Sequence, residues 1–299
     1  MIISRKGSSL EVLAPAKLNL ALEVLRRRDD GYHELETTML SVRLYDTLSF
    51  CPSDSDELKL TCSAVAGSSS SSLVADERNL VLRAARLLRE ETGSSAGATI
   101  HLQKRIPVEA GMGGGSSDAA ATLVALNQFW NLNLESQKLH QLASRLGSDV
   151  NFFLESPVAA RCTGRGEQIQ PLAIRGTYHF VIVKPPFGLS TAQVFQQWKS
   201  AGGSRPGSND AVKSALESGR ADQLGQAIHN DLTQPALMLN PGLENLLERF
   251  QRESVAGFGM TGSGSACFAL CGSAAMAQAL ATRCRQERLG EAFAVSSGC

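Results

Sequence analysis

The sequence predicts an α+β protein of two domains, and three observations carry that prediction. Long strand-like segments open the chain, a glycine-rich loop runs directly into an alanine-rich helix, and the texture changes near residues 160–175 before strands and helices resume around a second glycine cluster. With 299 residues the chain is long enough for two cores, and its 43% apolar content is that of a soluble globular protein.

The elements follow in order. "SLEVLAPAKLNLALEVL" and "LETTMLSVRLYDTLSFCP" alternate polar and apolar residues and read as strands, with the turn-like "RRRDDGYHE" between them. The run "GSSSSS" at 67–72 reads as a surface loop. Residues 79–93 form an amphipathic helix with Gly93 as its stop. A strand over 98–108, the glycine loop, a helix to about Trp130 and a helix over 135–147 come next. "SDVNFFL" then heads into a strand. "ARCTGRGEQIQPL" reads as a turn region or boundary, which divides the chain into 1–163 and 164–299. In the second part "YHFVIVKPP" is a buried strand ended by prolines and 201–210 is a soft loop. A helix near 243–253, a strand after "GFGMTGSGSA", a helix over 274–287 and the short strand "AFAVSS" complete it.

Composition excludes several function classes. Twenty-nine basic residues balance 29 acidic ones, so nothing marks nucleic acid as a partner. No apolar run reaches membrane-spanning length, and the first residues lack the apolar core of a signal peptide. The seven cysteines are scattered without a CxxC pair, as in reduced, structural thiols of a cytoplasmic protein. Oligomeric state leaves no mark in the sequence.

The chemistry concentrates at "RIPVEAGMGGGSSDAAATLVAL", residues 105–126, with glycine at 111, 113, 114 and 115. Such a cluster marks left-handed backbone or close approach of a ligand, and opening a helix it offers free N–H groups and a favourable dipole to an anion. A flexible linker is the alternative, but a strand and a helix hold the loop at both ends. Phosphate is the expected ligand. The loop lacks the lysine of a Walker motif and the sixth-position glycine of a dinucleotide fingerprint. Phosphoryl transfer also needs a cation, a carboxylate for the acceptor hydroxyl and usually Mg²⁺. Lys17 in "APAKLNL" and Asp149 in "LGSDVNFF" are the candidates, against an ordinary surface lysine and a turn or capping aspartate. Tyr32 and His33 stand side by side at a turn, and "MTGSGSA" at 260–266 is either a second backbone anion contact or a tight turn.

These segments, "APAKLNL", "PVEAGMGGGSSDAAA", "GSDVNFF" and "MTGSGSACF", resemble in order and spacing the signature motifs of the GHMP kinase superfamily. Within it, residues 14–39 are most similar to the branch that phosphorylates a cytidyl-linked alcohol. The resemblance covers about 10–272 and implies a ribosomal S5 domain 2-like N-terminal domain for ATP binding and catalysis, followed by a ferredoxin-like substrate-binding domain. It implies ATP as co-substrate with Mg²⁺. Pro107, Val108, Glu109, Ala110, Gly111, Met112, Gly113, Gly114, Gly115, Ser116 and Ser117 would wrap the ATP phosphates, with Ser117 near the metal. Asp149 would accept the proton of the acceptor hydroxyl, and Lys17 would ease the charge around it. Asn19, Tyr32 and His33 would hold the cytidyl end, Tyr32 by stacking and His33 by reading the base edge. Thr191 and Phe195 of "LSTAQVF" would lie beside the cytosine, and Gly262, Ser263 and Gly264 would border the substrate. The chain departs from the family pattern at Asn151, commonly proline, at Glu109, a charge near the nucleotide, and at Ala192, proline in some members. Rival readings are another small-molecule kinase of the superfamily, a nucleotide sensor without activity, and a nucleic-acid-binding protein of similar architecture. The "GYHE" turn, the presence of both Lys17 and Asp149, and the neutral charge argue respectively against them.

Overall fold

A computed structural model describes residues 1–53, 55–65, 74–198 and 206–298. The first half contains β1 (Ile2–Lys6), β2 (Ser9–Arg27), β3 (His33–Cys51), β4 (Leu58–Ala64), α1 (Leu80–Thr92), β5 (Ala98–Lys104), α2 (Gly114–Phe129), α3 (Ser136–Leu146), α4 (Val150–Glu155), β6 (Ala159–Gly164) and β7 (Gln168–Pro171). The second contains β8 (His179–Lys184), α5 (Thr191–Gln197), α6 (Ser208–Ser218), α7 (Ala221–Ala227), β9 (His229–Asn230), α8 (Thr233–Leu239), α9 (Gly242–Gln251), β10 (Gly257–Met260), β11 (Cys267–Cys271), α10 (Ala274–Gln286) and β12 (Glu291–Ser296).

Two sheets result. The larger runs β1-β2-β3-β5-β4, with β6 on β3, β7 on β6 and the short β9 parallel to β2; the smaller runs β10-β11-β8-β12, antiparallel throughout. Strand β3 changes partner along its length, pairing with β6 over Leu35–Leu40 and with β5 over Thr47–Cys51. Ser297 and Gly298 bridge this gap at Val42 and Ser41, while on the opposite edge of β2, between β1 and β9, the Met112 carbonyl of the glycine loop accepts the Lys17 N–H at 3.1 Å.

Strand β2 shows why alternation alone under-reads it. Burial alternates from Ser9 to Ala14 and is then continuous to Val24, because helices of the first half cover one face and the second half covers the other. Lys17 and Asn19 are therefore 3% and 2% exposed inside a run that a one-faced strand would have left half in water.

Two expectations change in the structure, and part of a third. "SDVNFFL" forms the short helix α4, not a strand; its β-branched and aromatic residues mimic a buried strand locally, whereas packing buries Val150 through Phe153 consecutively. "ARCTGRGEQIQPL" is the β6–β7 hairpin of the first sheet, so the division at 163/164 falls inside a hairpin whose strands both belong to that sheet. Residues 67–72 and 201–205 lie outside the described residues, and the rest of the expected loop at 201–210 already enters α6 at Ser208. The α+β character and the other strong elements agree with expectation, Gly93 ending α1 at φ 68°.

Candidate active site

The glycine loop ends at Gly113, the N-cap of α2 with φ 71°, and no side chain caps the helix. A Cβ at Gly113 would sit 2.7 Å from the Phe153 ring and one at Gly111 (φ 70°) would sit 2.2 Å from the Thr261 carbonyl, so neither position admits a side chain. The first bond of α2 is Ser117 N–H to Gly113 O at 2.9 Å. The N–H groups of Gly114, Gly115 and Ser116 thus have no acceptor within the helix and face a cavity of about 1050 Å³. Pro107, Val108, Glu109, Ala110, Gly111, Met112, Gly113, Gly114, Gly115 and Ser116 all line that cavity. Ser117 does not; it is fully buried, and Ser116 is the serine at the wall.

Beneath the loop, Lys104 donates to Asp46 and, at 2.8 Å, to Asp118, and Asp46 also accepts the N–H groups of Arg105 and Ile106. Burial opposes the Lys104 charge, but the two carboxylates outweigh it and hold its pKa above the ordinary value. Burial, reinforced by Asp46 and opposed by Lys104, raises the Asp118 carboxyl. This buried ion group anchors the end of β5 to β3 and α2, so the loop enters from a fixed point.

Lys17 and Asp149 meet at the centre of the cavity. Lys17 Nζ lies 3.5 Å from Asp149 Oδ2, donates to Gly111 O at 2.9 Å and also donates to Asn19 Oδ1. Lys17 is buried, so it is not the surface lysine of the bland alternative. Asp149 precedes α4 without a side-chain capping bond, which leaves its carboxylate to the cavity. Asn19 also lines the cavity, but its amide is already engaged: Nδ2 donates to Thr37 at 2.8 Å and Oδ1 accepts from Lys17. Thr261 Oγ1 donates to Gly111 O at 3.2 Å, tying the second glycine cluster to the first. Asn151 occupies the first turn of α4, where an N–H has no helical acceptor, so the position suits proline equally well. Its side chain instead donates to Ser144 Oγ at 2.8 Å. Glu109 packs against Gly188, its side chain turned toward the second half.

At the other end the walls are aromatic. Tyr32 is 55% exposed, and His33 stacks on Phe195 with centroids 4.9 Å apart while Trp198 meets it edge-on. Burial, and then the nearby Arg27 charge, lower the His33 pKa below its ordinary value. The ring is therefore neutral near pH 7, one nitrogen donating and the other accepting. Thr191 and Ser263 share a hydroxyl hydrogen bond of 2.8 Å at the wall, and Gly262 lies close to Lys17. Gly264 does not line the cavity; it backs Gly111.

Sequence reasoning missed several parts of this cavity, among them Lys104 and Asp118 beneath the loop, Val74, Arg78, Asn79 and Leu80 at the glycine-loop end, Trp198, and Arg165, whose guanidinium lies 4.9 Å over the Tyr32 ring. Apart from Asp118, which follows the glycine loop directly, none of these positions carries a functional motif in the sequence. Among the described residues no group of three or more His, Cys, Asp or Glu converges to hold a metal, but Ser117 Oγ and Asp118 Oδ1 are buried without a hydrogen-bond partner just inside α2. Two oxygens beside open phosphate-binding amides suit Mg²⁺, which takes few protein ligands and completes its shell with phosphate and water.

Comparison with known proteins supplies independent findings. The model of the GHMP kinases N terminal domain matches residues 79–156, and that of the GHMP kinases C terminal domain matches 212–288. The chain is 40% identical to a 4-diphosphocytidyl-2-C-methyl-D-erythritol kinase of Mycolicibacterium vanbaalenii, over 97% of this chain and 90% of that one. It is also 40% identical to the enzyme of that name from Pelotomaculum thermopropionicum, over 93% and 94% respectively. A crystal structure of 4-(cytidine 5'-diphospho)-2C-methyl-D-erythritol kinase superposes with a TM-score of 0.80 at 36% identity, covering 97% of this chain and 99% of that one.

Proposed function

This chain belongs to the GHMP kinase family, and from that premise we propose that it transfers the γ-phosphoryl group of ATP to the 2-hydroxyl of 4-diphosphocytidyl-2-C-methyl-D-erythritol, a step of non-mevalonate isoprenoid synthesis. One observation carries the reading: the Lys17–Asp149 pair stands between a helix N-terminus with open amides and a pocket walled by Tyr32, His33 and Phe195. That is the order in which a triphosphate, an acceptor alcohol and a pyrimidine would lie.

The chemistry follows from the parts. The N–H groups of Gly114, Gly115 and Ser116 bind phosphate oxygens and, with the α2 dipole, spread the charge that grows there. Asp149 accepts the hydroxyl proton as the new O–P bond forms and the β–γ bridge breaks in line, with no phosphoenzyme. Lys17, held by Gly111 O and Asn19, offsets negative charge between the carboxylate and the incoming phosphoryl oxygens. Mg²⁺, which Ser117 and Asp118 would hold, neutralises phosphate charge when bound with the nucleotide. Tyr32 stacks on the cytosine, and neutral His33, its face taken by Phe195, offers its edge. No helix among the described residues is long and apolar enough to cross a membrane, and we read the enzyme as cytoplasmic.

A coupled assay tests this directly. ATP consumption should require the cytidyl alcohol and Mg²⁺, and cytidine diphosphate should inhibit while mevalonate does not. Inhibition by mevalonate but not by cytidine diphosphate contradicts the assignment.

A further inference from the structure

We infer that Arg165 is the cation that binds the diphosphate of the cytidyl substrate, and that it leaves the face of Tyr32 to do so. The inference rests on the substrate proposed above and deepens it.

The position of Arg165 is the first argument. It sits in the β6–β7 turn, next to Gly166, where a Cβ would be 3.7 Å from Asp149 Oδ1. Its guanidinium lies 4.9 Å over the ring of Tyr32. The residue therefore spans the gap between the aromatic pocket and the carboxylate. A substrate with its base on Tyr32 and its alcohol at Asp149 must run its diphosphate through this gap.

Availability is the second argument. Three of the other four cations of the cavity are committed; the fourth, Arg27, has no ion pair among the described residues but pairs across the β2–β3 hairpin with His33, at the base end of the cavity. Lys17 is held by Asn19, Gly111 and Asp149, Lys104 by two buried carboxylates, and Arg78 by Asp76 through two nitrogens. Arg165 has only Glu167 in ion-pair range among the described residues, one contact at 3.9 Å. Its planar fork matches two phosphate oxygens at once, and that charge-assisted pair outweighs an exposed cation–π contact.

The turn is built to present the side chain. The Arg165 N–H donates to Glu167 Oε2 at 2.6 Å, the Gly166 N–H donates to Thr163 O at 3.0 Å, and both flanking glycines hold positive φ. The guanidinium covers the Tyr32 ring where the base would stack, so binding a diphosphate uncovers that face and couples the two contacts.

The test is calorimetric binding of cytidine and of cytidine diphosphate, with the glycine loop saturated by a non-hydrolysable ATP analogue. In Arg165→Gln, cytidine diphosphate should bind about ten- to a hundredfold more weakly while cytidine changes less than about threefold, the range expected for a lost charge-assisted pair. Arg165→Lys should recover part of that loss by restoring the charge without the fork. Unchanged affinity for the ATP analogue shows that the variants are folded. Equal weakening of both ligands assigns Arg165 to supporting Tyr32 alone and overturns the inference, as does no weakening of either. A wild-type protein that binds neither ligand refutes the cytidyl reading itself, and the inference falls with it.

Discussion

The two ends of the cavity recognise by different means. At the glycine-loop end the groups offered are main-chain amides, set by left-handed Gly111 and Gly113 and anchored by the buried Lys104, Asp46 and Asp118. At the other end they are side chains: an exposed tyrosine, a histidine held between Phe195 and Trp198, and an arginine on a hairpin turn. Backbone donors recognise phosphate whatever the attached group is, and they tolerate no change because their geometry is the recognition. Side chains recognise one alcohol among many and can be exchanged without moving the fold. Such a division lets one scaffold keep its phosphate chemistry while its acceptor changes.

The sharpest test of the comparison lies where the ends meet. In our reading Asp149→Asn keeps both ends intact and removes only the proton acceptor. Turnover should fall by roughly two to four orders of magnitude, with affinities for an ATP analogue and for cytidine diphosphate within about threefold of wild type. Comparable loss of binding would show that Asp149 is structural.

Next come the ends themselves. Tyr32→Ala removes the stacking surface and should weaken cytidine binding about tenfold or more, given the roughly 1–3 kcal/mol of a base–aromatic stack; Tyr32→Phe should bind nearly normally. ATP affinity should not respond to either. Gly113→Ala should do the converse. Its Cβ meets the Phe153 ring at 2.7 Å in left-handed backbone, so the loop must shift. ATP-analogue affinity should drop about tenfold and stability by roughly 1–2 kcal/mol, with cytidine unaffected. Cross-effects of equal size would dissolve the distinction between the ends.

The smallest expected effect is in pH. The His33 pKa lies below its ordinary value of 6.5, first through burial and then through the Arg27 charge. The neutral ring is thus favoured in the folded protein, and what it contributes is present above 6.5 and lost only as pH falls through the lower folded value. The Michaelis constant for the alcohol should stay flat from pH 8 to 6.5 and rise at lower pH. Arg27→Gln removes the cationic part of the cause, so the rise should begin at higher pH. A rise already under way above pH 6.5 in the wild type contradicts the role given to His33.

These differences also explain what was legible in the sequence. Gly111 and Gly113 announce themselves because only glycine fits where a Cβ would strike Thr261 O or Phe153. Lys17, Asp149, Tyr32 and His33 stood in recognisable surroundings, and all four line the cavity. Arg165, Trp198 and the Val74–Leu80 segment were invisible because each reaches the cavity through tertiary packing. The strand expected at "SDVNFFL" failed for a related reason: Val150, Phe152 and Phe153 carry strand-like side chains, yet burial of four successive residues is satisfied by one helical turn between packed layers. The long strands, by contrast, were readable from pattern, and only the uninterrupted burial of β2 beyond Ala14 required knowing that a second layer covers it.

One structure would test the central claim most directly: the protein with a non-hydrolysable ATP analogue and the cytidyl alcohol bound together. The account predicts phosphate oxygens on the N–H groups of Gly114, Gly115 and Ser116, and the acceptor hydroxyl between the terminal phosphorus and Asp149. A nucleotide whose phosphates lie away from those amides, or an acceptor hydroxyl out of reach of Asp149 in the closed complex, would contradict it.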